Sequence, residues 1–107
     1  CAAQANENRC GVQITNFDFL ASGKTGNKLW ARADMKNTGD KAEDVNLYLY
    51  VDDVLEEQYE TRIQPGSSET KKIYYMESGA GTKNIRLVAY AACGASDEKS
   101  GTIEVEQ

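Results

Sequence analysis

Residues 45–53 read Val45-Asn46-Leu47-Tyr48-Leu49-Tyr50-Val51-Asp52-Asp53. Val45, Leu47, Leu49 and Val51 share one parity; Asn46, Tyr48, Tyr50 and Asp52 share the other. Successive side chains of an extended chain point to opposite faces, so this stretch is a strand with an apolar face and a mixed face. Asp52-Asp53 ends it in a chain reversal.

The pattern repeats in both directions. Downstream, a less regular strand runs through Tyr59 to Ile63, and Gln64-Pro65-Gly66-Ser67 makes a turn. A strand from Thr70 to Met76 follows, then the loop Ser78-Gly79-Ala80-Gly81. Ile85, Leu87, Ala89 and Ala91 mark the next strand, and Ile103 and Val105 the last. Upstream, Asn37-Thr38-Gly39-Asp40 is a turn. Before it, Leu29, Ala31, Ala33 and Met35 lie on one face, with Trp30, Arg32, Asp34 and Lys36 on the other. The segment Ser22-Gly23-Lys24-Thr25-Gly26-Asn27 reads as a turn. In the first strand Val12 and Ile14 have one parity, Phe17 and Phe19 the opposite. A bulge or a change of sheet near Thr15 and Asn16 reconciles them.

Short alternating segments parted by turn residues, with no sustained helical period, predict an immunoglobulin-like antiparallel β-sandwich of about seven strands. It spans residues 10–107. Residues 1–9 are small and polar without alternation and read as a flexible tether.

The 107 residues suffice for one domain. Asp and Glu number 17 against 12 Lys and Arg, for a net charge of −5. That sign disfavours nucleic acid or an anionic membrane surface as partner. There is no histidine, which removes the usual acid–base at neutral pH and every imidazole-dependent triad. Ser67 and Ser68 are therefore turn formers rather than nucleophiles. The acidic pairs Asp52-Asp53, Glu56-Glu57 and Asp97-Glu98 lack the spaced oxygens of a calcium loop and read as solvated surface. A glycosidase pair of carboxylates needs a cleft that a small sandwich has little room for. A Lys–Asn cross-link between strands is disfavoured, because the last strand holds neither residue in its Ile103–Val105 core. No catalytic residue, cofactor or metal is expected.

The stretch MKNTGDKAEDVNLYLYVDD resembles the signature half of the cell-adhesion-related domain of bacteria and archaea (CARDB). The matching residues are Asn37, Gly39, Val45, Leu47, Leu49 and Asp52. IQPGSSETKKIYYM resembles that family's second landmark, a Pro-Gly-Ser turn before a Thr-rich strand, through Pro65, Gly66, Ser67 and Thr70. The segment Gly81-Thr82-Lys83-Asn84-Ile85 resembles the approach to its penultimate strand. The resemblance covers about residues 29–105 and implies a seven-stranded sandwich on a secreted or cell-surface prokaryotic protein, without catalytic residues.

In such a topology the first strand lies beside the last and parallel to it. Cys10, before the first strand, and Cys93, after the penultimate one, then share one pole, where a disulfide is geometrically reasonable. Cys1 is the third cysteine. It reads either as a lipid anchor, with small Ala2 and Ala3 behind it, or as a chain boundary, and it is the alternative partner in the bridge.

Tyr48 and Tyr50 share the outward parity with Val88 and Tyr90 of the neighbouring penultimate strand. Two readings fit this group: a contact face for protein or sugar rings, or tyrosine pairs that serve only the sheet. Trp30 has outward parity in the other sheet, where Arg32 can stack on it; with the parity reversed it is core. The functional expectation is a non-catalytic extracellular or cell-surface module for adhesion, protein contact or assembly, with homo-oligomers through strand edges a further option. The alternative is a carbohydrate-binding accessory domain with Tyr48 and Tyr50 as platform, flanked by Asn46 or Asp52.

Overall fold

A computed structural model describes residues 10–107 apart from Ala21 and Ser78. The tether reading of residues 1–9 and the roles considered for Cys1 lie outside the described residues. Eight strands are present: β1 (Val12–Phe19), β2 (Ser22–Lys24), β3 (Lys28–Asn37), β4 (Glu43–Val51), β5 (Val54–Ile63), β6 (Ser68–Met76), β7 (Gly81–Ala91) and β8 (Ser96–Glu106). One sheet has the order β1-β3-β6, the other β2-β8-β7-β4-β5.

The eighth strand is β2, inside the segment expected to be only a turn. It runs parallel to β8, with Gly23 opposite Val105. A side chain at Gly23 would overlap Leu29, so the close approach of this strand to the core requires glycine. Three residues are too few to show alternation, which is why the parity pattern misses them.

The parity break in β1 is resolved by a bulge. The register with β3 shifts between Ile14 and Asn16, so Thr15 is extra. Val12 and Ile14 are buried before it, and Phe17 and Phe19 pack against the core after it. The bulge alone is the remedy: β1 stays paired with β3 through Phe19, and the chain enters the other sheet only afterwards, at β2. Phe19 lies against Gly101, where an added Cβ would come within 2.6 Å of its ring.

The core is the inward parity of the long strands. Leu29, Ala31, Ala33 and Met35 from β3 face Val45, Leu47 and Leu49 from β4 and Ile85, Leu87, Ala89 and Ala91 from β7. All are fully buried, which sets the parity of β3 and leaves Trp30 on the outside. Asp52 and Asp53 both have positive φ, at 50° and 68°, between the closing pair Val51 and Val54. Two left-handed residues match the twist of a tight hairpin, and aspartate tolerates that region better than most residues.

The pole at the other end of β4 is tied down by polar contacts. Asn37 is the buried polar residue among the described residues. Its Nδ2 donates to the carbonyls of Lys41 (2.6 Å) and Ile63 (2.9 Å), and its Oδ1 accepts from Gly39 N (2.8 Å). At the same end Ile14 N donates to Asp97 Oδ2 at 2.8 Å, which pins β1 to β8 across the sheets. Asp97 was expected to be mere surface; it supplies instead an acceptor that the edge of β1 lacks at its bulge. Cys10 and Cys93 lie at this pole with their sulfurs at bonding distance and Cα atoms 6.0 Å apart.

Tyr75 of β6 points inward and is 4% exposed, and its hydroxyl has no hydrogen-bond partner. Burial, reinforced by Glu77, Glu56 and Asp52, pushes its pKa from 10.0 up to about 12. The fold therefore favours the neutral phenol. That contribution is whole below pH about 10 and is lost as pH rises from about 10 toward about 12. Tyr75→Phe should flatten this alkaline loss in denaturant titrations across the window. An equally steep loss in the variant would assign it to other groups.

Candidate functional site

The outer face of the five-stranded sheet gathers the expected aromatic group. In the β4–β7 register Tyr48 is opposite Val88, Asn46 opposite Tyr90 and Tyr50 opposite Arg86. β5 extends these rows: Gln58 is beside Tyr48 and Leu55 beside Tyr50. Leu55 has this position because the β4–β5 register shifts between Leu49 and Tyr50, leaving Glu56 as the extra residue. Tyr90 is 45% exposed and Leu55 is 47% exposed, whereas Tyr48, Tyr50 and Val88 are half-buried. The Tyr48 and Tyr50 rings are 6.5 Å apart at 41°, a tilted pair that forms no single plane.

Arg86 organises the end of this face. Its guanidinium lies 4.7 Å from the Tyr50 ring centroid, within cation–π range. It also pairs with Asp53 and Glu98, each at 3.8 Å. Its Nε is buried without a partner. Beside it a shallow depression of about 340 Å³ is lined by Tyr50, Asp53, Asn84, Arg86, Ser100 and Thr102. The small Ser100 and Thr102 leave the space that Tyr50 and Arg86 wall.

Trp30 lies on the opposite side of the molecule, on the outer face of the three-stranded sheet. The expected stacking of Arg32 on Trp30 does not occur: Arg32 turns to Asp18 at 3.6 Å. Lys72 occupies that place, 4.4 Å from the Trp30 ring and 5.4 Å from Tyr74. The register explains the substitution, since Trp30 pairs with Tyr74 and Arg32 with Lys72 on β6. Sequence reasoning missed Tyr74, Lys72 and Leu55. The first two were readable from the alternation Ile73 and Tyr75 inward, Tyr74 and Met76 outward. Leu55 was not, because the bulge at Glu56 puts it out of phase with the rest of β5.

Among the described residues no group of three or more Cys, Asp or Glu side chains is placed to hold a metal ion.

The two packed sheets define an all-β sandwich. The structure is similar to the crystal structure of a CARDB domain from a Pyrococcus furiosus protein in complex with di-metal ions. The TM-score is 0.76 at 8% identity, over 92% of this chain and 96% of that one. A solution structure of the same domain gives 0.78 at 8% identity, over 92% and 97%. A β-glucosidase from Listeria innocua, in complex with isofagomine, contains a similar portion. Its TM-score is 0.71 at 14% identity, covering 94% of this chain but 16% of the enzyme. No family model matches the sequence, and no curated protein matches it. At these identities the likeness is one of fold.

Proposed function

We propose that this chain is a non-catalytic extracellular or cell-surface module that makes protein contacts through the outer face of its five-stranded sheet. The observation that carries this is the continuous group Leu55, Tyr50, Tyr48, Val88 and Tyr90, two of them nearly half exposed. Tyrosine supplies large contact area with little rotamer entropy to lose, and grouped apolar surface marks contact sites. The Cys10–Cys93 pair supports an oxidising compartment. The lack of histidine supports a non-catalytic role.

A second reading, carbohydrate binding, is favoured by the depression beside Tyr50, where Asn84, Asp53, Ser100 and Thr102 offer hydrogen bonds. Against it, Arg86 already lies over the Tyr50 ring. A photo-crosslinker at Val88 separates the two. It should join the domain to protein, and Tyr48→Ser with Tyr90→Ser should abolish the product while thermal melting stays within about 3 °C. Absence of any protein product, together with glycan-array binding lost in Tyr50→Ser, would overturn the protein-contact reading.

A further inference from the structure

The two outer faces carry opposite charge. On the three-stranded sheet Lys28, Arg32 and Lys72 surround the cross-strand pair of Trp30 and Tyr74, and Lys36 lies farther along the same strand, opposite Ser68. Asp18 answers Arg32, and Asp34 accepts from the Thr70 hydroxyl. Lys28 and Lys72 face aromatic rings instead of carboxylates. On the five-stranded sheet Asp44 matches Arg62, and Asp53 and Glu98 share Arg86. Glu60 and Glu104 stand in excess, with Glu104 accepting from Thr82. One face is thus basic and aromatic, the other acidic and aromatic, and they look in opposite directions.

We infer that the partner of the acidic Tyr48 face is the basic Trp30 face of a second copy of this chain, so that copies stack head to tail. This rests on the reading of the Tyr48 face as a protein-contact surface. Each molecule carries both halves of the contact, on opposite sides. Association through such unlike faces does not close on itself and gives open stacks rather than a two-fold dimer. A two-fold dimer would set lysines against lysines or carboxylates against carboxylates.

Size limits the strength. Strands lie about 4.8 Å apart and rise about 3.3 Å per residue, so a three-stranded face of nine-residue pairing is roughly 14 by 30 Å. Joining two such faces buries about 900 Å² in total, at the weak end of specific contacts. The stacks therefore form at high local concentration, as on a crowded surface. The net charge of −5 opposes approach at long range, while the face pairs act at contact. Comparing variants at one salt concentration isolates the face chemistry.

The test is sedimentation of the purified chain at about 0.15 M salt, where the screening length is about 8 Å. The wild-type average mass should rise with concentration and pass the dimer. Lys28→Glu with Lys72→Glu should remain monomeric, as should Glu60→Gln with Glu98→Gln and Tyr90→Ser. An equal mixture of the two variants retains one intact acidic face and one intact basic face, and should form pairs and nothing larger. A wild type that stays monomeric, growth that stops at the dimer, or a mixture without pairs would overturn the stacking. A monomeric wild type held on polyuronate beads through Lys28 and Lys72 would instead assign the basic face to an acidic glycan. If Val88 crosslinks to another protein while the wild type stays monomeric, the stacking fails and the protein-contact reading stands. If no protein product forms, that reading itself fails.

Discussion

Replacing Cys10 and Cys93 together by serine should lower the melting temperature by at least about 10 °C. The two residues are 83 apart in sequence, so the bridge closes most of the described chain into one loop. The chain-entropy account assigns such a loop about 4.5 kcal/mol, an upper value because the unfolded chain keeps some structure. The bridge also fastens the start of β1, an edge strand held within its own sheet by β3 alone. Without it, β1 keeps its pairing to β3, the Asp97 hydrogen bond and the packing of Val12 and Ile14. The fold should therefore survive at low temperature but lose cooperativity at that pole. Scanning calorimetry with and without reductant measures this directly. A melt that reductant leaves unmoved would show that the bridge does not constrain the protein in solution. Peptide mapping without reduction supplies the complementary result, and a Cys1–Cys10 peptide would refute the pairing.

The second large effect is expected at Asn37. Its amide is fully buried and makes three hydrogen bonds to two backbone segments: the β3–β4 connection, at Gly39 and Lys41, and the end of β5 at Ile63. Truncation to alanine strands the Ile63 carbonyl in the interior and leaves a small void. A buried group left unpaired costs about 1–3 kcal/mol, so a total loss near 3 kcal/mol is expected for Asn37→Ala. Asn37→Asp is the sharper comparison, because it preserves shape. The carboxylate would direct negative charge at the Lys41 and Ile63 carbonyls and could donate to neither while ionised. It should cost at least as much as alanine at pH 7. Part of that loss should return as pH falls and the acid protonates, since a proton restores one donor. Denaturant titration at neutral and acid pH measures both. Equal stability of Asn37→Asp and the parent at pH 7 would show that the two donated bonds carry little.

Much of the sandwich was legible because alternation is a direct record of burial. In β3, β4 and β7 each buried side chain falls at the expected parity. The bulge at Thr15 was legible for the same reason: two aromatic residues out of phase with two aliphatic ones need an extra residue between them. Asn37 shows the limit. Its sequence context marks a turn, and a turn asparagine is ordinarily solvated. What buries it is the approach of Ile63, 26 residues later, which no local pattern encodes. The aromatic faces divide similarly. The outward parity of Tyr48 and Tyr50 was local, whereas the replacement of Arg32 by Lys72 over Trp30 came from the register of β3 with β6.

Sequence alone therefore determined the strands of the core, their inward faces, the hairpin at Asp52-Asp53 and the outward direction of the candidate tyrosines. These follow from the two-residue period of extended chain and from backbone preferences at turns, both properties of neighbouring residues. Tertiary structure alone decided the short parallel strand β2, the position of Leu55 beside the bulge at Glu56, the burial of Asn37 and the opposite charge of the two faces. Each depends on which distant segments are brought side by side, and long-range register is set by packing of the whole sandwich rather than by any local stretch.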